Sequence, residues 1–138
     1  MEQVIEAASP DADVVQLTVP AQNGYLGVLR TAAAGLAARL QFTLDEIEDL
    51  RIAVDEACTM LIKLALPDAE LGCCFTVAAE TLSVEVTAPG PVGGPAPDTT
   101  SFAWTVLTSL THAARAEVSE DGTITIALTA RRSRPTKR

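Results

Sequence analysis

The chain has 138 residues, of which 48% are hydrophobic, so it can form one domain with a single core. No apolar run approaches the roughly 18 residues of a membrane-spanning helix, and the acidic start MEQVIEAASP is unlike a signal peptide. We therefore expect a cytoplasmic protein that does not bind membranes.

The charge is distributed unevenly along the chain. The last eight residues, RRSRPTKR, hold five of the ten basic side chains and leave a net charge of −13 on the rest. Such an acidic body should repel nucleic acid and membrane surfaces and attract a basic protein. We predict a flexible N-terminus (1–12), one domain (13–130) and a basic tail (131–138) that is disordered rather than a binding arm.

The three cysteines do not have the spacing of a metal site. Cys58, Cys73 and Cys74 form no CxxC pair, and His112 is the only histidine. A zinc site needs about four ligands, so none is expected. We predict buried free thiols, with Cys73 and Cys74 on opposite faces of a strand.

The first half of the chain predicts a strand and two helices. β-branched residues are frequent between residues 13 and 19, as in a strand. Between residues 22 and 40, apolar residues recur every three or four positions, which indicates an amphipathic helix. Thr43 and Glu46 have the spacing of a capping box, so a second helix should run from about 44 to 66.

The second half predicts two hairpins on either side of a third helix. Apolar and polar residues alternate at 71–79 and 82–88, which is typical of an antiparallel hairpin. A Pro- and Gly-rich loop follows, then a helix at 101–112 and a hairpin ending at 124–130. This order predicts an α+β fold, a two-layer sandwich in which helices cover one face of a mostly antiparallel sheet.

Two segments carry a resemblance to a known family: VDEACTMLIKLALPDAEL and SFAWTVLTSLTHAARAEVSEDGTITIALTARR. With the element order, they resemble the RsbW/SpoIIAB anti-sigma factors of the GHKL (Bergerat-fold) ATP-binding class, most closely the actinobacterial UsfX-type branch. The resemblance implies a homodimer that sequesters a stress- or sporulation-type sigma factor. It also implies release by a STAS-domain anti-anti-sigma factor, which kinase-competent members phosphorylate on a serine.

The resemblance implies roles for two residues of the second helix. Glu56 matches the motif glutamate, which would act as general base toward a serine hydroxyl. One turn later, Met60 stands where the family has an asparagine that ligates Mg²⁺. Magnesium requires hard oxygen ligands, and a thioether is a soft one.

The adenine and phosphate motifs are also altered. Ala88 replaces an aspartate that accepts the adenine amino group, and only Gly90 of that motif remains. Loss of such a buried charged acceptor should cost about 1.5–3 kcal/mol of nucleotide affinity. Ser101 and Ala103 replace two glycines before the third helix. We expect weak ATP and Mg²⁺ binding, no required cofactor and no metal site. The expected function is a binding regulator, with an active serine kinase or a purely structural role as alternatives.

Two further residues are candidates for partner contact. Arg30 matches an arginine that the family uses for this purpose, although it also fits a solvated position. Phe102, Val106 and Leu110 are predicted to form the buried stripe of the third helix. Trp104 falls to one side of that stripe, as either an interface anchor or a half-buried rim residue.

Overall fold

Three helices cover one face of a five-stranded antiparallel sheet in the computed structural model, which describes residues 12–133. The order of strands across the sheet is β1-β2-β3-β5-β4. The predicted α+β sandwich is therefore confirmed. The elements are β1 (Asp13–Pro20), α1 (Leu26–Arg39), α2 (Leu44–Leu64), β2 (Glu70–Val77), β3 (Thr81–Pro89), α3 (Phe102–Ser109), β4 (Ala113–Val118) and β5 (Thr123–Arg131).

The core lies between the sheet and the helices. Alternate residues of β2, β3 and β5 face the helix layer, which is why these strands show the period of two seen in the sequence. The largest fully buried side chains come from both layers and include Leu29, Leu50, Leu61, Phe75, Leu82, Leu107 and Ile126. No helix within residues 12–133 is both long and apolar enough to cross a membrane.

The first two helices begin and end close to their predicted bounds. A 3-10 turn at Asn23–Tyr25 precedes α1, so the α-helix begins four residues later than the periodicity indicated. The capping box of α2 is confirmed. The backbone N–H of Glu46 donates to Thr43 Oγ1 at 3.1 Å, and Thr43 N–H donates to Glu46 Oε1 at 2.7 Å.

The third helix buries a different face from the predicted one. Phe102 is 81% exposed, so its assignment to the buried stripe is wrong. Leu107 is the fully buried residue of α3, and Trp104 is half-buried against the core. The helix spans eight residues rather than twelve, and Ser101 caps its start.

The first three residues of the predicted basic tail, 131–133, contact the domain. Arg131 is the last residue of β5, and the Arg132 N–H donates to the Glu80 carbonyl at 2.8 Å. Ser133 donates from its backbone N–H and its hydroxyl to Glu46 Oε2, at 2.9 and 2.6 Å. We call this contact the Glu46 clamp, because one carboxylate holds both the start of α2 and the end of β5. The rest of the tail and residues 1–11 lie outside the described residues.

The Glu46 clamp predicts a specific pH dependence of stability. Burial alone would raise the pKa of Glu46, but hydrogen bonds from Ser133 and Thr43 outweigh it and lower the pKa below the usual 4.5. The contribution of the Glu46 carboxylate to folding stability is therefore fully present above about pH 4.5 and is lost as the pH falls through the folded-state pKa. Glu46→Gln keeps the shape of the side chain and should flatten the loss of stability as the pH falls below about 4.5. Thermal melting at each pH measures this slope, and identical slopes for both proteins would contradict the assignment.

Two of the three cysteines are buried, as predicted. Cys58 and Cys73 are buried, and Cys74 is half-buried on the opposite face of β2 from Cys73. Burial raises the pKa of the Cys73 thiol to about 12, so the thiol stays protonated at neutral pH.

Candidate functional site

Glu56 lies on α2 and is half-buried, outside the core. Within residues 12–133 its carboxylate takes part in no hydrogen bond or ion pair, unlike that of its neighbour Asp55. A carboxylate in this state has acceptor capacity for an incoming hydroxyl. The predicted general base therefore remains chemically available.

Met60, one helical turn after Glu56, is part of the core. It is only 9% exposed and belongs to the same buried cluster as Ala57 and Leu61. Its thioether fills the position where the family motif places a hard oxygen ligand. The position has become part of the hydrophobic packing and offers no donor that suits Mg²⁺.

Ala88 lies near the end of β3 and points into the helix layer. It is 2% exposed and continues the buried row formed by Leu82, Val84 and Val86 on the same strand. A methyl group accepts no hydrogen bond, so Ala88 cannot supply the acceptor that the family motif has at this position.

Gly90 has a structural role that the sequence motif did not reveal. Its N–H donates to the Gly122 carbonyl at 2.9 Å. A Cβ at this position would lie 2.6 Å from Ile124 Cδ1 and 3.1 Å from the Gly122 oxygen. The close approach of the end of β3 to the β4–β5 turn therefore favours glycine here, with or without a nucleotide.

Ser101 uses its hydroxyl to close the start of α3. The hydroxyl accepts the Trp104 N–H at 3.2 Å and donates to the Asp98 carbonyl at 2.8 Å. One of the amides that would face a phosphate is therefore already bonded within the protein. Ala103 is half-buried and packs against the core instead of leaving the open space of a glycine.

Asp98 adds a negative charge just before α3. Its Oδ1 accepts both the N–H and the hydroxyl of Thr100, at 2.9 and 2.6 Å. These bonds lower the pKa of Asp98, so the carboxylate is charged at neutral pH. A phosphate approaching this helix start would meet a like charge.

Two cavities bordered by described residues lie on the uncovered face of the sheet, and one of them touches a predicted site residue. A depression of about 350 Å³ lies on the uncovered face of the sheet and is lined by Cys74, Ser83, Glu85 and Arg115 among others, with none of the predicted site residues. A second, of about 520 Å³, touches Ala88, but Thr18, Thr87 and Thr123 place it at the end of the same uncovered face.

Arg30 joins the two long helices. Its Nη1 donates to Asp55 Oδ1 at 2.6 Å, and the two side chains are 36% and 40% exposed. The structure therefore pairs the predicted partner-binding arginine with the residue that directly precedes the predicted base. Asp55 is not among the residues predicted from the sequence, where its one distinguishing feature is its position beside Glu56.

Comparison with known proteins assigns the family. The model of the histidine kinase-like ATPase domain matches residues 19–127, which contain every predicted site residue. An anti-sigma-F factor RsbW of Mycobacterium tuberculosis (strain H37Rv) is 35% identical over 134 residues, which cover 86% of this chain and 74% of that protein. This chain belongs to the RsbW-type proteins of the histidine kinase-like ATPase family. The resemblance seen in the sequence is thereby confirmed at the level of the RsbW family.

Other relatives match a shorter part of the RsbW-type chain. A serine-protein kinase RsbW of Bacillus subtilis (strain 168) is 45% identical over 62 residues, and one of Bacillus velezensis is 41% identical over 64 residues. These matches cover 45% and 46% of this chain, and 39% and 40% of the two kinases. The matched part is thus about two fifths of the length of either kinase.

A solved structure shares the fold. The RsbU and RsbW domains of a Mycobacterium tuberculosis protein superpose with a TM-score of 0.68 at 17% sequence identity. The match covers 91% of this chain and 34% of that one. At this identity the likeness establishes the architecture of the RsbW-type chain and not its chemistry.

Proposed function

We propose that this RsbW-type chain is an anti-sigma factor of the UsfX type. It binds and sequesters a stress- or sporulation-type sigma factor in the cytoplasm, as a homodimer, and a STAS-domain anti-anti-sigma factor releases it. Family membership supports the anti-sigma role. The observation that favours binding over catalysis is that Met60 and Ala88, at the metal and adenine positions, are buried and apolar.

The losses at the nucleotide site act together. Met60 at the metal position offers no oxygen ligand, and Ala88 at the adenine position offers no hydrogen-bond acceptor. At the start of α3, the Trp104 N–H is already hydrogen-bonded to the Ser101 hydroxyl. Each missing charged contact lowers affinity by about ten- to a hundredfold, and independent losses multiply. Sigma binding requires none of these three contacts, so it survives their loss.

The charge of the domain supports a basic partner. Without its last eight residues the chain carries a net charge of −13. Four acidic residues lie in the first two turns of α2, where the helix dipole favours negative charge: Asp45, Glu46, Glu48 and Asp49. A field of this sign accelerates encounter with basic proteins and repels nucleic acid.

Calorimetry tests the state of the nucleotide site. Titration of Mg-ATP into the protein should give no heat at micromolar concentrations, because the metal and adenine contacts are missing together. The matched control is a kinase-competent RsbW under the same conditions. A magnesium-dependent isotherm with a micromolar Kd would contradict our account of Met60 and Ala88.

An active serine kinase is the second candidate, and the unbonded carboxylate of Glu56 favours it. Incubation with labelled ATP, Mg²⁺ and a STAS-domain protein tests it directly. Glu56→Gln is the matched control, because it keeps the size of the side chain and removes the base. Phosphoserine formed by the wild type and not by Glu56→Gln would establish kinase activity, and we expect none from either protein.

Binding to a sigma factor is tested by co-expression. Candidate stress and sporulation sigma factors are produced with this chain, and the mass of the eluted complex is measured by light scattering. We expect a stable complex whose mass contains two copies of the chain. If every candidate elutes apart from the chain, the proposed anti-sigma role is wrong.

A further inference from the structure

The sole asparagine of the chain is followed directly by a glycine. Asn23 and Gly24 are both exposed, and they lie in the 3-10 turn (Asn23–Tyr25) that precedes α1. A glycine leaves its main-chain nitrogen open to approach, because no Cβ shields it, and it moves easily between backbone conformations. An asparagine side chain in front of a glycine is therefore open to attack by the main chain itself.

The fold holds neither of the two groups that would react. The Asn23 side chain makes no hydrogen bond to the other residues that the structure describes. The hydrogen bonds of the 3-10 turn come from the N–H groups of Tyr25 and Leu26, so the Gly24 N–H is not among its donors. None of the three residues of the turn is buried. A single exposed turn opens at little cost, so the side chain and the nitrogen can meet.

We propose that Asn23 is a site of spontaneous deamidation and isoaspartate formation, with water as the only co-reactant. The Gly24 nitrogen attacks Asn23 Cγ, and the new C–N bond closes a five-membered succinimide ring. The side-chain nitrogen leaves as ammonia and takes the proton lost by the Gly24 nitrogen. Water then opens the ring at Cγ to give aspartate, or at the main-chain carbonyl to give isoaspartate, whose main chain runs through Cβ and Cγ. This inference is independent of the proposed anti-sigma function.

The fold protects a comparable site, Asp121–Gly122 in the β4–β5 turn. An aspartate before a glycine can form the same ring with loss of water. Here the Gly122 N–H donates to the Ser119 carbonyl at 3.0 Å, so the nitrogen is already bonded. Hydrogen bonds from Ser119 and Thr123 lower the pKa of Asp121 to about 2, which keeps the carboxylate ionised and a poor electrophile. The β4–β5 turn therefore holds both of the groups that are free in the 3-10 turn.

The two products should affect α1 differently. Neither the 3-10 turn nor the first turn of α1 contains an acidic residue. An aspartate at position 23 places a carboxylate near the positive end of the helix dipole and leaves the main chain unchanged. Isoaspartate adds one carbon to the main chain within the turn, close to Leu26, which is 4% exposed. The hydrogen bonds of the turn then lose their spacing, and we expect the first turn of α1 to fray.

Ageing of the whole chain in solution tests the site. The protein is kept at physiological temperature and mildly alkaline pH, and peptide mapping by mass spectrometry follows the conversion of the amide to a carboxylate. Labelling with a protein isoaspartyl methyltransferase measures the isoaspartate formed. We expect Asn23 to react in the folded protein at a rate within about fivefold of that in urea-unfolded protein. Asp121 should form isoaspartate about tenfold or more slowly in the folded protein than in the unfolded one.

Gly24→Ala is the matched variant, because it shields the nucleophile and leaves the fold intact. Nothing lies within 4 Å of the Cβ position of Gly24, and its φ is not positive, so alanine fits the turn. The added Cβ should slow deamidation by about tenfold or more. Asn23→Asp reproduces the aspartate product without ageing. The isoaspartate form, separated by chromatography, should melt about 3–6 °C below Asn23→Asp.

Conversion of Asn23 in the folded protein, slowed in Gly24→Ala, supports the inference. An amide that persists in the folded protein while the unfolded protein converts overturns it, and so does a Gly24→Ala variant that reacts as fast as the wild type. Equal isoaspartate at residues 23 and 121 of the folded protein also overturns it, since the fold would then not distinguish the two turns. An isoaspartate form with the Tm of Asn23→Asp would refute the expected fraying of α1.

Discussion

Replacing Gly122 with alanine should lower the free energy of unfolding by about 2–5 kcal/mol. Gly122 has a φ of 96°, a conformation that residues with a Cβ rarely adopt. A Cβ there would also lie 2.5 Å from the Gly90 carbonyl oxygen and 3.1 Å from the Pro91 carbonyl carbon. These are backbone atoms, so the clash is relieved only by separating the end of β3 from the β4–β5 turn.

Thermal melting measures this effect, with an expected decrease in Tm of about 10 °C for a domain of this size. Gly35→Ala is the matched control: Gly35 lies in α1 and its Cβ position is empty, so alanine should stabilise the protein by about 0.5–1 kcal/mol. An unchanged Tm for Gly122→Ala would contradict the structural role of the Gly90–Gly122 contact. The glycine at position 90 would then be better explained as a remnant of a nucleotide site.

Replacing Leu107 with alanine should cost about 2–5 kcal/mol, because a buried leucine leaves a cavity that its neighbours fill only in part. Leu107 is fully buried and is the main anchor of the eight-residue helix α3 against α2. Chemical denaturation gives the loss of stability, and hydrogen exchange should show α3 opening before the rest of the domain.

Phe102→Ala provides the matched control on the same helix. Phe102 is 81% exposed, so its truncation should change stability by less than about 0.5 kcal/mol. The pair of variants tests which face of α3 is buried. A larger loss for Phe102→Ala than for Leu107→Ala would restore the stripe predicted from the sequence and contradict the packing described here.

The sequence alone predicted the elements that depend on local rules. Alternation in β2 and β3 follows from one buried face, and the capping box at Thr43 satisfies backbone groups within four residues of each other. Each of these signals involves residues that are close together in the sequence, so the order of elements and the α+β class could be predicted from them. The family motif on α2 could also be recognised, since Glu56 and Met60 lie one turn apart.

The sequence could not decide which face α3 buries. Five of its eight residues are apolar (Phe102, Ala103, Trp104, Val106 and Leu107), so more than one stripe satisfies helical periodicity. The choice depends on packing against α2 and the sheet, which a local pattern does not contain. The same limit applies to Gly90, whose role depends on the β4–β5 turn more than 30 residues later.

Only the tertiary structure decided the contacts between distant residues. The Glu46 clamp joins residues 87 positions apart, and the Arg30–Asp55 pair joins residues 25 positions apart. Side chains such as these have many possible partners in an unfolded chain, and chain packing selects one of them. The sequence thus determined the fold and the residue types at the motif positions. The packing of α1 on α2 determined that Arg30 is paired with Asp55.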